Sequence, residues 1–168
     1  MRIFGIDPGT ETTGYGAIDS DGNSHTLVEY GAIRSPRRAF AERLHFIHTE
    51  LLKAIERCRP ERVVVENLFY ATNVKSALRL GHVRGVTLLA GVSRGLPVFE
   101  YSPLEVKQAV VGYGRADKQQ VQRMVMLLLE LEELPEPHDA ADALAVALCD
   151  AHRLRFAERV AEGQERLS

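Results

Sequence analysis

Four carboxylates stand in this sequence where acids are costly unless something uses them. Asp7 closes a short apolar run, Ile3-Phe4-Gly5-Ile6, and is followed by the turn signature Pro8-Gly9-Thr10. Glu66 closes a second run, Val63-Val64-Val65. A glutamate there is expected to be partly buried, and a buried unpaired carboxylate costs on the order of several kcal/mol. Asp139 and Asp142 lie in Asp139-Ala-Ala-Asp142-Ala-Leu-Ala. On a helix that spacing puts both on one face, and the apolar residues all round them predict a buried helix. Taken alone, Asp7 reads as a turn residue and Asp139 as an N-cap after Pro137. Asp142 falls inside the helix and has no such account.

The chemistry this implies follows from charge. Two carboxylates about 5 Å apart repel by about 3 kcal/mol at an effective dielectric near 20, and four converging acids make six such pairs. One lysine would not offset that. Divalent Mg²⁺, or Mn²⁺ in its place, prefers such an all-oxygen environment, whereas zinc prefers imidazole and thiolate. His25, His45, His48, His82 and His152 show no ligand spacing. His138, beside Asp139, suits orienting a water or assisting a metal, or simply a capping region. Two ions about 4 Å apart stabilise the attacking and leaving oxygens of an in-line phosphoryl displacement. The residues therefore point to a metal-dependent nuclease with Asp7, Glu66, Asp139 and Asp142 as ligands.

The elements that must position these acids are legible from periodicity. Met1 to Ile6, Thr12 to Ile18 and Thr26 to Ile33 read as strands, with Ser20-Asp21-Gly22-Asn23 as the hairpin turn between the last two. Phe40, Leu44, Ile47, Leu51, Ala54, Ile55 and Cys58 recur at steps of three and four, a helix stopped by Arg59-Pro60. Val63 to Val65 reads as a strand buried on both faces, as central parallel strands are. A polar-aromatic loop, Asn67 to Val74, leads to a helix over roughly Lys75 to Ser93. Its Ala77, Gly81, Gly85, Ala90 and Gly91 leave room for another backbone. Pro97 to Tyr101 gives a last strand. Helices are then expected over roughly Pro103 to Val110 and Lys118 to Leu131, with a final one starting near Asp139 after the turn Leu134-Pro135-Glu136-Pro137. This order predicts an α/β fold, one five-stranded mixed sheet with helices on both faces.

Bulk properties bound the reading. The 168 residues suit one domain, expected over residues 1–155, with a charged tail at 156–168 expected to fray. Hydrophobic residues at 45% and charged residues at 26% are those of an ordinary globular protein. No apolar run approaches the roughly 20 residues of a membrane helix, and the apolar start is too short for a secretory signal. Cys58 and Cys149 sit in apolar helical contexts and read as packed thiols in a reducing compartment, the cytoplasm. Charge is uneven. Between Val74 and Arg123 eight basic residues face three acidic ones, a net of +5 on a chain totalling −2. Either a polyanion-binding face or a solvated helix surface accounts for this.

Several motifs together resemble the RuvC family of Holliday-junction resolvases. They are Ile6-Asp7-Pro8-Gly9-Thr10 with Gly14, Val64-Val65-Glu66-Asn67, Phe69, and Ala77-Leu78-Arg79-Leu80-Gly81 through Arg84-Gly85. Pro97-Val98-Phe99-Glu100-Tyr101, Val106-Lys107-Gln108, Val111-Gly112-Tyr113-Gly114 and Asp139-Ala-Ala-Asp142-Ala-Leu-Ala continue it, so the resemblance spans essentially residues 1–155. It implies an RNase H-like fold and a homodimer with its interface on the small-residue helix. The substrate implied is a four-way DNA junction, resolved by paired nicks that ligase can seal, in recombination and repair. It also implies Mg²⁺, two ions per site, held by the four acids, and the RuvA–RuvB branch-migration complex as partner. Lys107 and Lys118 match positions that assist catalysis or hold phosphate. Phe69 matches an aromatic that stacks on an unpaired base, with Tyr70 as neighbour. Lys75, Arg79, Arg84, Arg115 and Arg123 are candidate phosphate contacts. Some members carry histidine where Asp139 stands; this chain has the all-acid set.

Three rivals share parts of this pattern. A pre-16S rRNA processing nuclease of the same fold opens with a similar Asp-x-Gly, but lacks the match at Phe69 and Lys107. A silent junction-binding module would not need all four acids. An actin-like kinase shares Asp7-Pro8-Gly9-Thr10 but needs two such domains and a second glycine-rich phosphate loop.

Overall fold

In the computed structural model, which describes residues 1–67 and 73–165, the apolar N-terminal run forms strand β1, Arg2–Asp7. Ile3, Phe4 and Ile6 are fully buried, so this strand has no solvent face and lies inside the sheet. β2 (Thr12–Ser20) pairs with it antiparallel, and β3 (His25–Arg34) pairs antiparallel with β2. α1 (Phe40–Cys58) then carries the chain back, so that β4 (Arg62–Glu66) adds parallel to β1. α2 (Val74–Ser93) makes the second crossover, to β5 (Val98–Tyr101), which pairs parallel with β4. The sheet order is β3-β2-β1-β4-β5. Three further helices follow: α3 (Pro103–Val111), α4 (Lys118–Leu128) and α5 (His138–Glu165).

Strand side chains alternate between faces, and here each face has its own core. Phe4, Ile6, Val63 and Val65 pack with Ile47, Leu51 and Ile55 of α1 and Val83 and Ala90 of α2. Ile3 and Val64 pack with α3, α4 and the alanine-rich centre of α5. That is the predicted layering, and its cause is the double-sided burial of β1 and β4. The predicted stripe of α1 is buried from Ile47 to Cys58. Its end is set by Arg59, which turns left-handed at φ 49° and donates its N–H to Ile55 O at 2.8 Å. Cys58 and Cys149 are free, buried thiols. No described helix is long and apolar enough to cross a membrane.

One helix end differs clearly from expectation. α4 stops at Leu128 and not Leu131, because Glu130 turns left-handed (φ 51°) and Leu131 N–H bonds back to Met126 O. α5 continues past residue 155 to Glu165. The N-caps of α2, α3 and α4 agree with local chemistry. Ser102 and Glu105 form a capping box on α3, Asp117 and Gln120 one on α4, and Asn73 accepts from Ser76 N–H at 2.9 Å to start α2. Of the small residues of α2, Gly91 lies against Val63 and Val98, while Gly81 and Gly85 face open space.

Candidate active site at the carboxyl end of the sheet

Period-two alternation decides which way the strand-end acids point. Ile3, Gly5 and Asp7 share one face of β1, and Ile3 packs on the core that contains α5. Val64 and Glu66 share the matching face of β4. Both acids therefore point to the layer occupied by α5, whose first turns carry Asp139 and Asp142. β1 and β4 are parallel, so their carboxyl ends lie side by side, where ligands of mixed α/β sheets bind. The result is a cleft of about 210 Å³ lined by Asp7, Glu66, Asp142, Lys107, Lys118 and Val106, with Pro103 and Val121. Asp139, one turn earlier on α5, acts on Asp7 and Asp142 through space.

The approach of α5 depends on residues that carry no chemistry and that periodicity does not flag. Gly14 lies opposite Asp7 in the β1–β2 register. A Cβ on Gly14 would fall 1.8 Å from the Asp139 carbonyl oxygen, and one on Gly5 would fall 2.0 Å from that of Ala143. At Gly16 a Cβ would meet Leu144 at 2.6 Å. The sheet is bare where α5 crosses it, so the helix start settles directly over Asp7. Three glycines at alternate positions on two neighbouring strands were the available signal. Arg43 is a second residue of this kind. From α1 its guanidinium donates to the Thr10 carbonyl and pairs with Glu11 at 3.0 Å, while Thr13 Oγ1 donates to Gly9 O at 3.0 Å. These bonds hold the turn that follows Asp7.

Burial and mutual repulsion shape the electrostatics. Desolvation, then the neighbouring Glu66 and Asp142, hold the Asp7 carboxyl well above the usual carboxylate range. Burial likewise raises Glu66 and Asp142. Asp7 and Glu66 also act on each other, in the direction that favours a neutral Asp7 and an ionised Glu66. Lys118 Nζ lies 3.4 Å from Asp142 Oδ2, and its charged form is favoured by Asp142, Asp7 and Glu66. Lys107 and Lys118 both favour ionised Glu66. The lysines do not overcome the desolvation, so the acids remain short of positive charge. Among the described residues no three of the His, Cys, Asp or Glu groups close on one point at ligating distance. The donor set still fits a divalent cation, being all oxygen and under-compensated.

The comparisons with known proteins agree with this geometry. The family model for Crossover junction endodeoxyribonuclease RuvC matches residues 3–150. The chain is 52% identical to the protein of that name from Pelotomaculum thermopropionicum over 161 residues, 95% of this chain and 98% of the relative. It is 56% identical to the one from Heliobacterium modesticaldum over 157 residues, 93% and 97% of the two chains. The chain belongs to the RuvC family. Among solved structures it resembles Thermus thermophilus RuvC in complex with Holliday junction substrate, with TM-score 0.88 and 38% identity over 94% of this chain and 96% of that one. The fold is therefore the RNase H-like one of RuvC, a five-stranded mixed sheet with helices on both faces. RuvC-family chemistry brings with it dependence on a divalent metal.

The basic residues of this RuvC-family chain fall into separate groups. Arg115 is exposed between α3 and α4, close in sequence to Lys118, and Arg123 is exposed on α4. Lys75 is exposed in the first turn of α2, and the Arg79 guanidinium lies 5.5 Å from the centre of the Phe40 ring. Arg84 is engaged, with its Nη2 2.5 Å and its Nε 2.6 Å from Glu100 Oε1 on β5. Its guanidinium is thus held to the sheet rather than offered freely. His138 is exposed as the first residue of α5 and lowers the proton affinity of Asp142. Asp139 lies within the first helical turn rather than at the cap. Phe69 and Tyr70 lie outside the described residues.

Proposed function

We propose that the chain is a structure-selective endodeoxyribonuclease that resolves four-way DNA junctions by paired, symmetric phosphodiester hydrolysis. The observation that carries this is the gathering of Asp7, Glu66 and Asp142 in one cleft beside Lys107 and Lys118, in a RuvC-family chain. The same family name is carried by the relatives, and one similar structure holds a Holliday junction.

Asp7, Glu66, Asp139 and Asp142 would hold Mg²⁺, with Mn²⁺ as substitute and two ions per site. Bound there, the ions would supply an activated water and neutralise charge on the leaving oxygen of the in-line displacement. The protein's own groups do the rest. Lys118 and Lys107 place positive charge against the scissile phosphate and lower the cost of ionising the acids. Val106 and Val121 form an apolar wall, which strengthens these interactions. Phe69 and Tyr70 would stack on unpaired bases at the crossover, and Lys75, Arg79, Arg115 and Arg123 would contact backbone phosphates, positioning the junction without reading its sequence.

A homodimer follows from the same reading. A shallow apolar groove runs between α1 and α2, lined by Leu44, Ala77, Leu78, Gly81, Gly85 and Leu89. Two copies meeting there would carry two sites related by a twofold axis, matching two strands of a symmetric junction. The RuvA–RuvB complex is the expected supplier of junctions, and the cytoplasm the expected location.

The test compares immobile and mobile four-way junctions with linear duplex of the same sequence, in Mg²⁺. Nicks should appear in pairs on junction strands. Equal cutting of duplex and junction would overturn junction selectivity. Asp7→Asn should keep junction binding and cut more than ~10²-fold slower; normal cutting would refute the ligand assignment.

A further inference from the structure

The turn between β3 and α1 carries three basic residues that take no part in the acid site. β1, β3, β4 and β5 all run the same way, with β2 alone reversed. Arg34, the last residue of β3, therefore emerges at the same end of the sheet as Asp7 and Glu66. In register, Asp7 faces Gly14, Gly14 faces Ala32, and Arg34 lies two residues beyond. With strands ~4.8 Å apart and ~3.4 Å per residue, Arg34 stands ~12 Å from Asp7. Arg37 and Arg38 follow in a tight turn in which Arg38 N–H bonds to Pro36 O at 2.9 Å.

All three arginines are exposed, and none enters an ion pair among the described residues. The acids nearest in sequence or by contact are Glu11, which is paired with Arg43, and Glu42 in the first turn of α1. The turn is also fixed to the catalytic turn. Ser35 N–H donates to Glu11 O at 2.9 Å, and Arg43 bonds to Thr10 O. On its other side Phe40 lies under Arg79, which joins the three arginines to the basic start of α2. A charged turn bonded to the acid site, with no acid paired to its arginines among the described residues, suits a polyanion that passes over that site.

We propose that Arg34, Arg37 and Arg38 form a phosphate clamp for duplex DNA flanking the cleavage point. This rests on the junction-nuclease reading of the acid site. At ~3.4 Å of rise per nucleotide, a backbone leaving the acid site reaches the turn within about four nucleotides. The clamp supplies affinity and holds the arm, while the acids perform the chemistry.

The test is the triple variant Arg34→Gln, Arg37→Gln, Arg38→Gln, beside a control triple at the opposite end of the molecule, Arg59→Gln, Arg155→Gln, Arg159→Gln. Binding of a synthetic immobile junction, and of linear duplex of the same sequence, is measured in EDTA across a salt series, and strand cutting in Mg²⁺ at saturating protein. The parent should show a steep salt dependence. The clamp variant should show a log–log slope smaller by about 2 to 3, because each phosphate that is no longer neutralised removes ~0.9. Its affinity should fall roughly tenfold or more, with the cutting rate at saturation within about twofold of the parent and the melting temperature unchanged. An unchanged slope in the clamp variant overturns the proposal, as does an equal fall in the control triple, which would mark a net-charge effect. A parent that binds duplex and junction alike, with the clamp variant still losing slope, refutes junction selectivity and leaves the clamp standing.

Discussion

Asp7 shows how little a single residue decides by itself. As a letter it is a turn aspartate; in the protein it is nearly inaccessible, and burial with two acidic neighbours makes ionisation unfavourable. Lys118 sets the opposite balance, favouring ionised Asp142 and Glu66. In Lys118→Ala both acids should therefore titrate at still higher pH. The acidic limb of the cutting-rate profile should move to higher pH, and Lys118→Arg should restore it; an unshifted limb would remove Lys118 from the site. Gly14 makes the matching steric point. In Gly14→Ala the new methyl meets the Asp139 carbonyl, so the start of α5 must lift away from Asp7. Overpacking of this kind costs about 1–3 kcal/mol, and cutting should fall by ~10² or more because a small displacement misplaces the acids. A melting curve and a nicking assay on the same preparation check both halves.

At the scale of elements, α5 carries two acids at one end and an ion pair further along. Asp150 is fully buried, accepts the Tyr101 hydroxyl at 2.6 Å and lies 3.1 Å from Arg62 Nε. The Arg62 N–H is poorly aligned with that oxygen, so the contact is an ion pair without a full hydrogen bond. It ties α5 to the start of β4 and the end of β5. Arg62→Ala leaves a buried carboxylate unpaired and should cost ~3–5 kcal/mol, measured by urea unfolding. Replacing Asp150 by Asn in that background should recover part of the loss. If it recovers none, the cost lies in packing under Phe99, whose ring the Arg62 guanidinium covers at 4.0 Å.

For the whole molecule the acid cluster couples folding to pH and metal. Asp7, Glu66 and Asp142 bind protons more tightly folded than unfolded. Metal-free protein is therefore most favoured below their unfolded values near pH 4, relative to the same protein at higher pH, and loses that contribution as pH rises through the raised folded values. In EDTA the part of the melting temperature due to this cluster should fall as the pH is raised above about 4. Millimolar Mg²⁺ should raise it at pH 8, by ~5–10 °C if binding is near saturation. In Asp7→Asn both responses should shrink; equal responses would show that the cluster is not their source. The dimer is tested at the same scale. Leu78→Glu in the exposed apolar groove should give a monomer in sedimentation at micromolar protein, and a variant that remains dimeric places the interface elsewhere.

The sequence alone determined the elements, because burial writes its period into the letters. Val63 to Val65 announced a strand covered on both faces, and the steps from Ile47 to Cys58 announced the inner stripe of α1. It also marked Glu66 and Asp142 as acids in apolar surroundings, and the motif set carried the family. Helix ends were less legible, since Glu130 turns left-handed without a glycine to signal it. What only the tertiary structure decided is relative position. That Asp7 and Glu66 face α5 depends on strand direction and register. That α5 lies close enough depends on three absent side chains, at Gly5, Gly14 and Gly16, and that Arg84 is tied to Glu100 depends on two elements meeting. Periodicity records which face of an element is buried; it does not record what that face is buried against.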